Sequence, residues 1–428
     1  MSDADVAAEV SLDRIQRRLD AIWEIGRTDD GGVTRLAYSD EETAAIEYVL
    51  GELDDRFTVR TDSIGNVFAD TDPDADRAVY LGSHLDSVFN GGRLDGALGV
   101  VMALEAIEVA LAVGDPPVSP TLAILRAEES TRFGQWAIGS RGALGQLTVE
   151  DFSATDQSSV PLWQAMQDQN LRPRDLDRPT IDLDRVACFF ETHIEQGRVL
   201  DEHDEHVGVV TSIRAPVRYR VTVEGDSDHS GATPMGMRRD AIAGAAEMIT
   251  TVERVGDTAA ESGDLVATVG DVTADGGAIN KVCGRVTFPI DVRSTDRSHR
   301  DGVEATLLDR LEGVADRRDL DVDLSLVDRS DPVELDSATT GTLASVADDL
   351  AVPYRRLPSG GGHDAMNFQH RGIPTGMLFV PSIDGISHNP NEATPDDAIR
   401  DAMRVLTHAL LGDPTAGESP IAEPESND

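Results

Sequence analysis

The stretch from residue 78 to residue 129 constrains the fold most. "AVYLGSHLD" is a buried strand running into a loop, "DGALGVVMALEAIEVALAV" is a helix starting near Asp95, and "TLAILRAEES" is a second apolar strand ending in acids. Two strands joined through a helix form a parallel pair with a right-handed crossover, and ligands of such sheets sit outside the carboxyl ends of the strands. His84 and the pair Glu128–Glu129 therefore come side by side. The glycines between them, Gly82, Gly91, Gly92, Gly96 and Gly99, permit tight turns and close backbone approach. His84, Asp86 and Asp95 supply groups that bind or orient a cation.

Around this unit the periodicity divides the chain. Residues 11–26 and 40–54 have helical apolar spacing. From about residue 212 the pattern changes. "PVRYRVTVEG" alternates, 237–255 and 301–315 read as helices, and "LVATVGDV", "GRVTFPIDVR" and "DVDLSLVDR" read as strands, which together predict a small α+β domain with an antiparallel sheet. After about residue 330 the first pattern returns, with the strand "PTGMLFVPS" and a closing helix over 395–412. The expectation is an α/β domain in two parts, 1–211 and 330–413, interrupted by an inserted domain at 212–329 and followed by a disordered tail at 414–428. At 428 residues the chain exceeds a single core of roughly 250–300 residues.

Bulk charge excludes some functions. The formal net charge is -42 and Lys281 is the only lysine; such a surface repels nucleic acid and anionic membrane. Self-repulsion on this scale points to a cytosol with molar salt, where the screening length falls to about 3 Å. No apolar run approaches the roughly 20 residues that span a bilayer, the acidic start "MSDADVAAEVSLDRI" does not read as an export signal, and Cys188 with Cys283 are too few for a disulfide framework. A cytoplasmic protein is expected.

Two further histidines join the candidates. His193 follows an apolar run in "FFETHIEQGRVL", and His388 lies in the loop "GISHNPNEATPDDA" between a buried strand and the last helix. His84, Asp95, Glu129, His193 and His388, spaced by 11, 34, 64 and 195 residues, all fall at strand ends or strand–helix junctions of one α/β domain.

The ordered set "SHLDSV", "GGRLDG", "EES", "HIEQG", "DHSGATPM", "DVRSTD", "GGGHDA" and "SHNPNE" resembles the di-metal amidohydrolases of the M20 peptidase superfamily. Within it, the chain is similar to the hydantoinase/carbamoylase branch of N-carbamoyl-L-amino-acid hydrolases, allantoate amidohydrolases and β-ureidopropionases. The resemblance spans about residues 12–412. It implies an α/β catalytic domain with a mixed sheet flanked by helices, and an inserted α+β lid and dimerisation domain. It further implies that His84, Asp95 and His193 hold one divalent ion, and Asp95, Glu129 and His388 the other, with Asp95 bridging. Mixed imidazole and carboxylate donors suit Zn, Mn, Co or Ni. Asp86 is then the natural acceptor for the His84 imidazole N–H, and Glu128 is left free as the base.

In the inserted domain the resemblance assigns His229 to the developing oxyanion, and Asn280 and Arg293 to a substrate carboxylate, partly across a homodimer. Gln196 with Ser359, Gly360 and Gly361 completes the pocket, and His363 is either structural or supports a ligand from behind. The expected reaction is hydrolysis of a ureido or amide C–N bond by a hydroxide held between two ions, with hinge closure over the substrate. The alternatives are an acyl-amino-acid or dipeptide hydrolase of the same superfamily, and a catalytically silent binder of metal or metabolite. Ser87, the "EEST" run and Gly361 depart from the usual motifs without removing a ligand; Ser130 bears on the turn after Glu129.

Overall fold

The computed structural model describes residues 3–173 and 178–414; the tail expected from 414 onward, Pro414 aside, lies outside the described residues. The chain divides into two compact units. One comprises the residues up to Thr211, Leu335–Ser359 and the chain from His363; the other comprises Ser212–Glu334 with Gly360–Gly362.

In the first unit four strands run parallel as neighbours: Ser119–Leu125, Ala78–His84, Val186–Ile194 and Thr375–Val380. Val67–Asp70 joins one side antiparallel and Val207–Ile213 the other, so the sheet is mixed. The parallel strands are buried along almost their whole length, which explains their unbroken apolar runs. The helix Ala97–Val113 joins the first parallel pair. It is buried on nearly every side, and its one fully buried charge, Glu105, is met by Arg14, Arg18 and the Ser11 N–H. Leu12–Glu24 turns Ile15, Leu19 and Ile22 inward at helical spacing, and Ser11 caps its start by accepting from the Arg14 N–H. Asp396–Leu411 packs against the same central helix.

The parallel register sets the site. His84 ends its strand opposite Leu125, and His193, one residue from the end of its own, pairs with Phe379. The loops that follow all four parallel strands thus leave from one edge of the sheet.

The second unit is a sheet in the order Asp321–Arg329, Ala215–Glu224, Arg285–Ser294, Val266–Thr268, with Thr273–Ala274 also paired to the third strand. Its pairs are antiparallel. Val217, Val221 and Val223 alternate into a core with Phe288, Ile290 and Val292, which Ala241–Ala260 and Arg297–Arg318 cover. "LVATVGDV" shrinks to the three-residue edge strand Val266–Thr268, whose outer residues are exposed, as short edge strands often are. The unit runs to Glu334, five residues past 329, because Val333–Glu334 pairs back onto Ser212 and Ile213.

Candidate metal centre

Asp95 sits where the Gly91–Gly96 loop enters the buried helix, and its two carboxylate oxygens face different partners. Oδ1 lies 3.2 Å from His193 Nε2 and 3.6 Å from His84 Nε2. Oδ2 lies 3.4 Å from His388 Nε2, which is itself 3.1 Å from Glu129 Oε1. The ligand atoms of His84, Asp95 and His193 lie within 4.8 Å of one another, as do those of Asp95, Glu129 and His388. Five residues far apart in sequence thus form two groups that share one carboxylate.

The two buried imidazoles are held from behind. His84 Nδ1 lies 3.1 Å from the Asp86 main-chain oxygen and 3.3 Å from its Oδ1; His193 Nδ1 faces the Ile194 oxygen at 3.0 Å. Both rings therefore turn Nε2 toward Asp95. The Asp86 carboxylate also accepts the backbone N–H groups of Glu128 and Glu129, each at 3.0 Å, so one buried acid orients a histidine and fixes the two glutamates. Gly96 adopts φ +65, and a Cβ there would lie 2.4 Å from the His84 ring, so only glycine fits. Ala127, Gln196 and His388 also have positive φ, uncommon backbone for residues with a Cβ that is retained where the surroundings over-determine it.

The charge balance calls for cations. Burial raises the Glu128 carboxyl well above its ordinary range, with Glu129 and Asp364 adding to the effect against His84. Glu129 is raised by burial, against His388. Despite its burial, Asp95 is held well below the carboxylate range by His193 and His388. Burial opposes the charging of His84, yet Asp86, Glu128 and Asp95 drive it well above the ordinary histidine value. His388 is raised to about 11 by its bonds to Asp95 and Glu129. The carboxylates thus raise the proton affinity of His84 and His388, the pull that crowded negative charge exerts on any cation placed among them. His84 Nε2 is moreover buried with no hydrogen-bond partner. Mixed nitrogen and oxygen donors, a shared carboxylate and an unpartnered imidazole nitrogen fit divalent ions.

Glu128 belongs to neither group. Its Oε2 lies 3.8 Å from His84 Nε2, so it borders the centre with its carboxylate outside both ligand sets. The amide of Gln196, a residue expected in the substrate pocket, donates to Asp95 Oδ2 at 2.7 Å, where Ser387 Oγ also donates at 3.2 Å. Buried His363 packs on the His193 ring at 4.6 Å and pairs with Ser359 Oγ at 3.0 Å. Glu392, the last residue of "SHNPNE" and outside the expected ligand set, accepts the backbone N–H groups of Leu94 and Asp95. Its only sequence signal was its place four residues after His388.

The remaining candidates belong to the second unit. His229 is exposed, bridges Lys281, and accepts at Nδ1 from the Gly231 N–H at 3.1 Å. The Ser230 N–H donates to the Asn280 oxygen at 2.9 Å, so the segments bearing His229 and Asn280 lie together. Arg293 gives Nε and Nη2 to Asp291 and Nη1 to the Gly360 oxygen. Gly361 follows Gly360 in the same unit.

The sequence pattern of peptidase family M20/M25/M40 matches residues 80–412. The chain is 34% identical over 407 residues to the N-carbamoyl-L-amino acid amidohydrolase of Geobacillus stearothermophilus, covering 93% of this chain and 97% of that relative. It is 32% identical over 413 residues to the allantoate amidohydrolase of Escherichia coli K12, covering 92% and 96%. Among solved structures, a hydantoinase/carbamoylase family amidase from Burkholderia multivorans superposes with a TM-score of 0.86 at 32% identity, covering 94% of this chain and 98% of that one.

Proposed function

The chain belongs to peptidase family M20/M25/M40, and on that premise we propose that it hydrolyses a linear C–N bond of a ureido or amide group in a substrate that also carries a carboxylate. The substrate class is an N-carbamoyl-L-amino acid or allantoate, as the names of its relatives suggest. One observation carries the reading: the two oxygens of Asp95 face separate histidine and carboxylate groups, and the buried Glu128 borders them without joining either.

His84, Asp95 and His193 would hold one divalent ion, and Asp95, Glu129 and His388 the other; zinc, manganese, cobalt and nickel all suit these donors. Such a pair, when bound, polarises a carbonyl and lowers the pKa of water towards about 7. Glu128 takes a proton at its carboxylate from the attacking water and returns it to the leaving nitrogen. Asp86 fixes the Glu128 main chain, so that the carboxylate meets the reacting atoms in one orientation. His229 donates to the charge that develops on the carbonyl oxygen. Asn280 and Arg293 hold the substrate carboxylate, Arg293 through the guanidinium N–H groups that Asp291 and the Gly360 oxygen do not take. Gln196, Ser359, Gly360 and Gly361 complete the pocket. With an N-carbamoyl substrate the products are the free amino acid and carbamate, which decomposes to carbon dioxide and ammonia.

The protein works as a homodimer in a high-salt cytosol, and residues 212–334 act as a lid that finishes the site when substrate binds. The acidity of the chain supports the salt requirement. Ammonia release from allantoate, N-carbamoyl-L-amino acids and N-carbamoyl-β-alanine, measured in molar salt with manganese, cobalt, nickel or zinc, tests the reading. Turnover of one class names the substrate. Folded, metal-loaded protein that is silent on all three but cleaves acyl-amino acids or dipeptides would overturn it.

A further inference from the structure

Glu392 leaves the loop that carries His388, yet its carboxylate ends on the loop that carries Asp95. Oε2 accepts the N–H of Leu94 at 2.7 Å and that of Asp95 at 3.0 Å. The residue is 5% exposed, and its own N–H donates to the Asn389 oxygen at 3.0 Å, one residue past His388. On the far side of the contact, the Leu94 and Asp95 oxygens accept the Leu98 and Ala97 N–H groups that begin the buried helix. The main chain of Asp95 is therefore fixed between the start of a helix and one carboxylate. Space for that carboxylate exists because residue 92 is glycine: a Cβ there would lie 2.2 Å from Glu392 Cδ and Oε2.

We infer that Glu392 is a positioning residue that locks the Asp95 loop to the His388 loop, and so sets the 3.4 Å approach of His388 Nε2 to Asp95 Oδ2. The inference rests on the reading of Asp95 and His388 as metal ligands. Glu392 touches neither imidazole nor the Asp95 carboxylate by any hydrogen bond described; it acts through two backbone N–H groups. Its removal leaves every ligand in the chain but frees two ligand-bearing loops from each other. Groups that orient metal ligands typically contribute about 10–100-fold to metal affinity, and the loss falls on the ion that draws donors from both loops. Gly92 is the second half of the device, since it keeps the path between the loops open.

Cobalt binding tests this directly. Metal-stripped protein in molar salt is titrated with cobalt, followed by calorimetry and by visible absorption, and the melting temperature of each metal-free form is recorded. Wild-type protein is expected to take two ions per chain. In Glu392→Ala one of the two ions weakens about 10–100-fold and the cobalt absorption changes, while the other ion stays near its wild-type affinity. Glu392→Gln, whose amide oxygen accepts both N–H groups, restores binding to within about threefold of wild type. Gly92→Ala, which displaces Glu392 without altering a ligand, reproduces the alanine variant, and it carries the test should Glu392→Ala fail to fold. Two cobalt ions bound by Glu392→Ala and Gly92→Ala with wild-type affinity and spectrum would overturn the inference alone. A folded wild type that binds no cobalt would overturn the metal reading, and this inference with it.

Discussion

In the larger unit, His84, Asp95, Glu128 and His193 are none of them more than 8% exposed, and hydrogen bonds to Asp86, to Glu392 or, for His193, to the next residue of its own strand hold the side chain or the main chain of each. In the smaller unit, His229 and Asn280 are exposed, on segments joined by the isolated bridge between His229 and Lys281. Burial makes the difference. A buried polar group left without a partner is costly, so its geometry is specified by the fold before any substrate arrives. An exposed group carries no such requirement, because water can satisfy it. The buried groups of the larger unit are thus preorganised, with the 46% exposed His388 at their rim, whereas on the proposed function His229 and Asn280 would become fixed only in the working complex.

Four measurements sharpen or break this contrast. The largest effect is expected for Glu128→Gln: cobalt stoichiometry stays at the wild-type value while kcat falls about 10²–10⁴-fold, and near-normal turnover would remove Glu128 from the mechanism. Next comes His229→Ala, where kcat falls about 10²–10³-fold. Because the residue is exposed, the urea midpoint should move by no more than about 0.5 kcal/mol equivalent; a large loss of stability would erase the contrast between the units. Third, Asp86→Ala strips the acceptor from the Glu128 and Glu129 N–H groups, at a cost of about 1–3 kcal/mol for each buried donor left unpaired, read from urea unfolding of the metal-free protein.

The smallest effect calibrates a charge at the edge of the larger unit, half-buried and paired with one exposed arginine. Arg17 and Arg18 hold Glu52 at about 2, below its unfolded value near ~4.3. Its contribution is therefore complete above that unfolded value and disappears as pH falls toward about 2. Arg17 is more than half exposed and buried Arg18 keeps Glu105 and Glu108 as partners, so Glu52→Gln should remove no more than about 1 kcal/mol at neutral pH, with the difference from wild type closing in acid. An effect as large as that of Asp86→Ala would show that exposure is not the governing variable.

What the sequence disclosed follows the same division. The crossover from Ala78–His84 through Ala97–Val113 to Ser119–Leu125 was legible because strands buried on both faces and a helix buried all round leave long apolar runs. His193 read as following such a run, whereas it lies inside its strand; where both faces are buried there is no alternation to mark the boundary. Ile138–Ala143, Leu162–Asp168 and Asp364–His370 span at most seven residues, too short to show a helical period. Glu392 was hidden by composition: among 79 acids, one more carboxylate on a loop looks solvated until its contacts are known. For Arg293 the missing signal was two residues away, since Asp291 projects from the same face of the strand and takes one edge of the guanidinium fork.

The insert begins and ends at one place in the larger unit, where the Leu335 N–H donates to the Thr211 oxygen at 2.9 Å. For the folding chain, this changes the distance that matters. Val186–Ile194 must find Thr375–Val380 across nearly half the protein, and non-local pairings of that kind are slow because loop closure precedes any reward. Once residues 212–334 have folded, their ends are already together, and the separation to be searched shortens by the whole length of the insert. The smaller unit would then act as a kinetic clasp for the larger one. Destabilising its core, for example at Phe288 or Leu311, should slow the refolding of a sheet to which those residues do not belong.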